Sequence, residues 1–304
     1  MNVIFGPVNS RRFGKSLGVD LSPNKKQCNF DCLYCELEAS SVVSRYDDVI
    51  ALEKVVAEIK EALHRYKGID FITLTANGEP TLYPYLDQLV DAINAFKEDR
   101  EVLILSNAST IMDKDVRSTL SKIDVVKLSL DCVTQKCLKK LDRADKGIDV
   151  EDIKSGMLAF KKEYKGELII EILFVKGVND RDIELYSKFL LALEPVRIDI
   201  GTVDRPPAYD VEALSYEELL RLSQRFDKTL PIYIASRKNI TSTPSSYSNE
   251  EILNTLDKRP LSDDDIDILF DSESKIRLQA LIKSEKVDKV EKNAIFFYKI
   301  SKST

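Results

Sequence analysis

The sequence predicts an α/β protein: a partial (βα)6 barrel of the TIM type, followed by a small winged-helix-like domain. Two patterns predict this fold. Short apolar, β-branched runs recur along most of the chain, and amphipathic stretches of helical period separate them. The chain has 304 residues, 45 Lys+Arg against 51 Asp+Glu and 43% hydrophobic residues, a composition that excludes collagen-like, low-complexity and wholly disordered classes.

Six apolar runs are predicted to be buried parallel strands. Between them, residues 52–66 and 85–96 place their apolar side chains on one helical face. Right-handed crossovers put every helix outside a curling sheet, so the chemistry should gather at the carboxyl ends of the strands. The predicted strands are residues 17–21, 71–75, 102–106, 125–130, 168–174 and 196–200, with an extending strand at 231–235.

A second, smaller unit follows the barrel. The predicted organisation is a barrel over residues 1–236, a Ser/Thr-rich linker over 237–249 and a winged-helix-like domain over 250–304. In this last domain we expect helices at 250–256, at 263–270 after a Ser262 cap and at 275–284 after a Ser274 cap, then a hairpin of 286–290 with 294–300. Residues 247–304 carry 10 Lys+Arg and 12 Asp+Glu, or 10 − 12 = −2, which disfavours DNA binding.

Three cysteines within eight residues are the most informative feature of the chain. Cys28, Cys32 and Cys35 have C-x3-C-x2-C spacing and follow the first predicted strand directly. A structural zinc site is one interpretation, but it needs four ligands, and the next cysteine is Cys132. Three thiolates can instead hold a [4Fe–4S] cluster and leave one iron without a protein ligand.

The cysteine spacing, with Tyr34 just before the last cysteine, resembles the cluster motif of the radical S-adenosylmethionine (SAM) superfamily, whose fold is also a partial barrel. The resemblance implies that the methionine part of SAM chelates the open iron. Reductive cleavage would then release a 5′-deoxyadenosyl radical that abstracts hydrogen from a substrate. Tyr34 would lie beside the cluster and the adenine, with ordinary packing under the loop as the alternative.

Further residues extend this resemblance to the cofactor site. The segment TANGEPTL, residues 75–82, is similar to the superfamily's G-G-E-P segment along the methionine. It implies a close backbone approach at Gly78, an ammonium contact at Glu79, and a stiffer turn at Asn77, where a glycine is more usual. By analogy, polar residues at two more strand ends would contact the methionine carboxylate or the ribose, unless they only cap helices and form turns: Ser106, Asn107, Ser129 and Asp131.

Three other segments, FGPVNSRRFGKSLGVD, LFVKGVND and VDRPP, resemble a subgroup related to the tRNA-wyosine-forming enzymes. The resemblance implies an unknown substrate, either tRNA or a small phosphorylated or carboxylated molecule, and a reductase, flavodoxin or ferredoxin as electron donor. An anion-binding patch of Arg11, Arg12, Lys15 and Arg205 would suit it, with solvated surface charge as the alternative. A second basic cluster comprises Lys136, Lys139, Lys140 and Arg143.

Cys132 and Cys137 are expected to be free thiols, too few to form a second three-cysteine cluster. The single histidine, His64, falls on the polar side of a predicted helix and is expected at the surface. The sequence shows neither a signal-peptide pattern nor an apolar stretch of bilayer length, which predicts a cytoplasmic protein without a membrane partner.

Two classes of function therefore remain. The first is a radical SAM enzyme of unknown substrate, for which no catalytic residue is assigned. The second is a non-catalytic iron–sulfur redox sensor whose winged helix binds DNA. The TANGEPTL segment favours the enzyme, because a sensor does not need a binding turn for methionine.

Overall fold

A computed structural model describes residues 3–10, 13–234, 244, 246–258, 260–292 and 295–301. Its main feature is an eight-stranded sheet in which strand order follows chain order. The first two strands pair antiparallel and all later neighbours pair parallel, which confirms the predicted partial barrel. The strands are β1 (Ile4–Ser10), β2 (Gly14–Asp20), β3 (Phe71–Thr75), β4 (Glu101–Ser106), β5 (Val125–Ser129), β6 (Glu167–Phe174), β7 (Arg197–Thr202) and β8 (Ile232–Ile234).

Helices and short helical turns connect the parallel strands. A 3-10 turn, Pro80–Leu82, follows β3, and a π-helical turn, Leu138–Asp142, follows the fourth helix. The amphipathic stretches predicted at 52–66 and 85–96 are the first two helices, and His64 is exposed in the last turn of the first. The helices are α1 (Leu52–Arg65), α2 (Leu86–Asn94), α3 (Lys114–Leu120), α4 (Gln135–Cys137), α5 (Val150–Glu163), α6 (Ile183–Leu193) and α7 (Tyr216–Ser223).

The two faces of the barrel sheet differ in chemistry. On one face, residues such as Ile72, Val126 and Ile198 are fully buried in the core that the helices share. The alternate residues form the inner face, where a separate small apolar cluster centres on Leu103 and Val125. The remaining inner positions are largely polar and include Thr73, Lys127, Glu171 and Asp199.

The β1 strand was not predicted. Gly6 and Pro7 interrupt its alternation, and its pairing with β2 shifts register between Phe5 and Val8. An antiparallel edge strand tolerates such an irregularity, because only one of its sides is hydrogen-bonded. The predicted extending strand is present as β8, and its last predicted residue, Ala235, lies outside the described residues.

A second group of elements follows: α8 (Asn249–Lys258), β9 (Leu261–Ser262), α9 (Asp263–Leu269), α10 (Ser272–Lys283), β10 (Val287–Lys292) and β11 (Ile295–Ile300). They surround their own buried cluster, which includes Leu261 and Phe270. Ser262 caps α9 as expected, but the predicted Ser274 cap of the third helix is wrong. That helix starts earlier, because Oδ1 of Asp271 accepts from the Ser274 amide at 2.8 Å.

The barrel contacts both the predicted last domain and the end of the predicted linker. The hydroxyl of Tyr66 donates to Oε1 of Glu251 at 2.6 Å, and the hydroxyl of Tyr247 donates to the Pro7 carbonyl at 2.7 Å. Linker residues 237–243 and 245 lie outside the described residues, and the division at 236 and 249 stays a prediction. Within the described ranges, no helix combines the length and the apolar character needed to cross a membrane.

Candidate functional site

The three clustered cysteines lie on an irregular loop between β2 and α1, at the carboxyl end of the sheet. Cys28, Cys32 and Cys35 are all free and only partly buried. The amide of Cys35 donates to the Cys32 carbonyl at 3.1 Å, which turns the loop back on itself. In the metal-free protein, burial raises the pKa of the Cys28 thiol to about 12, with the nearby Glu79 carboxylate as the next cause.

The turn after β3 holds this loop by its backbone. The amide of Gln27 donates to the Asn77 carbonyl at 2.8 Å, and the amide of Glu79 donates to the Gln27 carbonyl at 3.0 Å. Gly78 lies between them with φ +145°, and a β-carbon there would lie 1.8 Å from the Gln27 carbonyl oxygen. The expected close approach at Gly78 is therefore made by the cysteine loop itself.

Glu79 is almost completely buried and accepts four hydrogen bonds. Oε1 accepts from the Thr81 amide at 3.0 Å, the Thr81 hydroxyl at 2.6 Å and the Ser106 hydroxyl at 2.7 Å. Oε2 accepts from the Asn107 amide at 2.7 Å. Burial raises the pKa of Glu79, and these donors oppose that rise. Glu79 thus joins the ends of β3 and β4.

Asn107 connects this carboxylate to the cysteine loop. Its Nδ2 lies 3.6 Å from Sγ of Cys28 and 2.9 Å from Oδ1 of Asn29, so one amide group touches both a cysteine and its neighbour. Its Oδ1 accepts from the Ser109 amide at 2.9 Å, which fixes the orientation of the side chain. The structure therefore brings together Cys28, Glu79, Ser106 and Asn107, as the sequence predicted for the carboxyl ends of neighbouring strands.

Tyr34 and Asp131 form a second pair at the same end of the sheet. The Tyr34 hydroxyl donates to Oδ2 of Asp131, while Oδ1 of Asp131 accepts from the Leu173 amide at 2.6 Å. Burial raises the pKa of Asp131 to about 7. Ser129 is separate from this pair: it lies on the inner face of the sheet, in register with Glu171.

The π-helical turn supports the cysteine loop from the other side. The Asp31 amide donates to the Asp142 carbonyl at 3.0 Å, and the Leu33 amide donates to the Leu141 carbonyl at 2.8 Å. Asp142 itself is buried, and Oδ1 of its carboxyl has no hydrogen-bond partner in the described part of the chain. Neither the turn nor Asp142 was predicted, because a π-helical turn has no sequence signature at this length.

The two described members of the predicted anion patch lie at opposite ends of the sheet. Lys15 lies near the amino end of β2, and its Nζ donates to the Lys67 carbonyl at 2.8 Å. Arg205 follows β7, at the opposite end of the sheet, and pairs with Glu36 at 2.6 Å. The other two members, Arg11 and Arg12, lie outside the described residues. Arg205 instead holds the cysteine loop, whose Cys35 carbonyl also accepts from the Ala208 amide at 2.8 Å.

Cys132 and Cys137 were predicted to be free thiols, and the structure contradicts this. They form a disulfide, with their α-carbons 5.4 Å apart. The reason is local: after Asp131 the chain turns directly into α4, so residues five apart come within disulfide reach.

No three His, Cys, Asp or Glu side chains in the described ranges lie close enough together to hold a single metal ion. A [4Fe–4S] cluster takes each thiolate on a different iron, so it requires a wider arrangement of donors than one ion does. The donor set of the loop fits such a cluster: three free thiols on one loop, with an amide N–H directed at the sulfur of Cys28. Together these features define a class of protein: a partial α/β barrel in which the loop after β2, at the carboxyl end of the sheet, carries three thiols for an iron–sulfur centre.

The chain belongs to the radical SAM superfamily, whose domain matches residues 26–190. A UPF0026 protein of Helicobacter pylori is 38% identical over 304 residues, and the match covers 97% of each chain. A radical SAM methyltransferase structure from Sphaerobacter thermophilus is 15% identical, with a TM-score of 0.56 over 72% of this chain and 66% of that one. An archaeal TYW1 structure is 20% identical, with a TM-score of 0.48 over 74% and 75% of the two chains.

Membership confirms the expected cofactors, because the superfamily uses a [4Fe–4S] cluster and SAM. Sequence reasoning missed an ion-paired group on the inner face, which comprises Lys127, Glu171, Asp199 and Arg197. Their signal was present: each is a polar residue within an apolar strand, at the same two-residue period as its inner-face neighbours.

Proposed function

We propose that the chain is an enzyme that cleaves SAM reductively and uses the resulting radical on a substrate. The observation that carries this proposal is the contact between the Asn107 amide and Cys28, on a loop with three free thiols at the carboxyl end of the parallel sheet. When bound, the reduced cluster and SAM supply one-electron cleavage of a carbon–sulfur bond, giving methionine and a 5′-deoxyadenosyl radical. The electron would come from a flavodoxin, a ferredoxin or a reductase in the cytoplasm.

In this proposal Cys28, Cys32 and Cys35 bind three irons, and the fourth iron stays open to the methionine part of SAM. The Asn107 amide donates to the Cys28 sulfur, and an N–H directed at a cluster sulfur makes the reduced state easier to reach. The turn of Asn77, Gly78 and Glu79 lies along the methionine. Because Glu79 is buried and already accepts four hydrogen bonds, its first task is to hold this turn and Asn107 in place.

The remaining predicted contacts belong to the adenosine part of SAM. The Tyr34 hydroxyl donates a hydrogen bond to Asp131. This bond fixes the Tyr34 ring, which belongs to the cysteine loop, against the end of β5. We propose that this pair and Ser106 and Ser129 form the wall along the ribose and the adenine. Each of these residues lies at a carboxyl end of a strand or on the cysteine loop.

Anaerobic reconstitution tests the proposal. We expect about four irons per chain and, with dithionite and SAM, the release of methionine and 5′-deoxyadenosine. Cys28→Ala should lose both the iron and the products, whereas Cys132→Ala, a matched change outside the loop, should retain the iron. Iron loading without any cleavage products would contradict the enzyme and favour the redox sensor.

A finer proposal concerns the substrate, which we take to carry a phosphate group, as tRNA or as a small molecule. Four exposed lysines, Lys136, Lys139, Lys140 and Lys146, lie near the cysteine loop, and none has an ion-pair partner among the residues that the structure describes. Lys139 and Lys146 line a cavity of about 410 Å³ together with Gln135, Ala144, Asp145 and Ile148. Unpaired lysines around a cavity favour a phosphate over a neutral group.

Binding measurements test this finer proposal. Unfractionated tRNA and inorganic triphosphate would each be titrated at low and high salt. We expect affinity that falls with salt and is lost in Lys139→Glu/Lys146→Glu, but not in Lys188→Glu, an exposed lysine on α6. Binding of triphosphate alone would identify a small substrate, and the same affinity in both variants would reject the site.

We propose no DNA-binding role for the last domain. On α10, Lys275 pairs with Asp267 at 2.7 Å and Arg277 pairs with Glu273 at 2.9 Å. Cations already paired with carboxylates add little attraction for phosphates.

A further inference from the structure

The Cys132–Cys137 disulfide joins the chain just after β5 to the short helix α4. Cys132 is buried and only 3% exposed, whereas Cys137 is partly exposed. Cys137 therefore offers the more accessible of the two sulfur atoms to a thiol in solution.

Stability does not account for this bond. It joins residues five positions apart, and a bond that closes so short a loop removes little conformational entropy from the unfolded chain. The chain after β5 is held independently: the Asp131 carbonyl accepts from the Tyr186 hydroxyl at 2.6 Å and from Nδ2 of Asn179 at 2.8 Å. The helix α4 has only three residues, and its capping bond, from the Cys137 amide to the Thr134 hydroxyl, is long at 3.3 Å. Breaking the disulfide would thus loosen α4 and leave the barrel intact.

Two opposite redox requirements meet at this point of the fold. The cysteine loop carries three free thiols, which bind iron only in their reduced form. This loop contacts the turn after α4, where the Leu141 carbonyl accepts from the Leu33 amide at 2.8 Å. Surroundings that keep these thiols reduced also reduce accessible disulfides, and a disulfide in such surroundings is usually transient or redox-sensing. The position of the Cys132–Cys137 pair therefore indicates a bond that is made and broken in the working protein.

Gln135 connects the disulfide-bonded segment to a cavity. It lies between the two cysteines in sequence, its Nε2 donates to the Ile148 carbonyl at 3.0 Å, and its Oε1 accepts from the Val150 amide at 2.8 Å. Gln135 and Ile148 both line the cavity of about 410 Å³ that includes Lys139 and Lys146, which we call the lysine cavity. A change in the freedom of α4 therefore reaches the walls of the lysine cavity.

We propose that Cys132 and Cys137 form a reversible thiol–disulfide exchange site, and that its oxidised state orders the lysine cavity for phosphate. The phosphate part rests on the proposed function. The reaction partner is a thiol reductant. One of its thiolates attacks Sγ of Cys137, and the sulfur of Cys132 leaves as a thiolate.

A second thiolate of the reductant then attacks the mixed disulfide and releases Cys137. The reductant becomes a disulfide, and the protein pair gains two electrons together with the two protons of the reductant thiols. In the reduced state the Asp131 carbonyl, 3.7 Å from Sγ of Cys137, accepts the thiol hydrogen. A disulfide oxidant reverses the reaction and restores the bond.

Thiol titration of the reconstituted holoenzyme tests the exchange site. The protein is equilibrated at varied ratios of reduced to oxidised glutathione, quenched with acid and alkylated, and the peptide with Cys132 and Cys137 is analysed by mass spectrometry. We expect the pair to change from disulfide to dithiol and back in the folded protein while the iron content stays constant. A pair that stays oxidised until urea is added, or that stays reduced at every ratio, would overturn the proposal.

Hydrogen exchange and binding of inorganic triphosphate test the effect on the lysine cavity. In the reduced protein, we expect the amides of residues 134–150 to exchange about tenfold faster and the triphosphate affinity to fall about three- to tenfold. Cys132→Ser/Cys137→Ser should resemble the reduced protein and no longer respond to glutathione. Gln135→Met should weaken binding equally in both redox states, because it cuts the link to residues 148 and 150.

The two measurements separate the exchange site from the phosphate proposal. If exchange and affinity in the wild type do not depend on redox state, the control of the cavity is rejected. Redox-dependent hydrogen exchange without any triphosphate binding would reject the phosphate site and leave the exchange site intact.

Discussion

Gly78 lies so close to Gln27 that a β-carbon at Gly78 would be 1.8 Å from the Gln27 carbonyl oxygen. The amides on both sides of this contact hold the two segments together: Gln27 donates to Asn77, and Glu79 donates to Gln27. The cysteine loop and the turn after β3 therefore form one rigid unit. Its rigidity depends on a residue without a side chain.

Gly78→Ala should displace the cysteine loop, because the new methyl group collides with backbone that cannot move aside. We expect a loss of several kcal/mol in the free energy of unfolding and a much reduced iron content after reconstitution. Gly68→Ala is the matched control: Gly68 also has a positive φ, +65°, but a β-carbon there meets nothing within 4 Å. It should cost only about 1 kcal/mol and retain its iron. Equal effects of the two changes would contradict the contact.

Ser106→Ala should cost about 1 kcal/mol, because Glu79 Oε1 keeps its two bonds to Thr81. Glu79→Gln should cost more, about 2 to 4 kcal/mol, since an amide group then faces donors that need an acceptor. Urea unfolding of the metal-free protein measures both. The order of the two costs is the decisive result: a larger loss in Ser106→Ala would show that Glu79 does not organise this turn.

Asp131 should make stability depend on pH. Its pKa is raised to about 7 in the folded protein, whereas an unfolded aspartate has a pKa of about 3.9. Between these two pKa values unfolding releases a proton, so stability falls as pH rises. The contribution of Asp131 to the free energy of unfolding is complete below about pH 4 and is lost as pH rises to about 7, by at most about 1.4 kcal/mol per pH unit. Asp131→Asn should remove this slope from the unfolding free energy, whereas exposed Asp99→Asn should keep it. Parallel curves for Asp131→Asn and the wild type would refute the assignment.

Cys132 and Cys137 should resist alkylation as a pair. After removal of the cluster and denaturation without reductant, mass spectrometry should find Cys28, Cys32 and Cys35 alkylated and the other two linked. Cys132→Ser/Cys137→Ser should still load iron, since neither side chain belongs to the cysteine loop. Alkylation of all five cysteines would contradict the disulfide and support the free thiols that the sequence predicts.

Most strands and helices could be predicted because the fold uses apolar runs and helical period regularly. The β3 strand has the predicted bounds, Phe71–Thr75, and α1 differs from its prediction by one residue. One failure arose where the decisive partner is distant in sequence. Arg205 of the predicted patch pairs instead with Glu36, 169 residues away, and no local pattern identifies that partner.

The site could be predicted in its residue types but not in its contacts. The cysteine spacing predicts the loop, and strand ends predict where Glu79, Ser106 and Asn107 gather. The sequence does not show that Glu79 already accepts four hydrogen bonds from its neighbours. Those bonds depend on how the ends of β3 and β4 pack against each other. Lys127 lies in an otherwise apolar run, which predicts a buried strand and gives no sign of an ion pair.

Each barrel strand has residues on two faces, and substitutions on the two faces have different consequences during evolution. Outward residues such as Val126 and Ile198 are committed to the helices, and altering them costs stability. Inward residues such as Glu171 face accessible space and carry little of that packing. New substrate preferences can therefore arise by exchange of alternate residues on existing strands, while the scaffold and the iron–sulfur loop stay as they are.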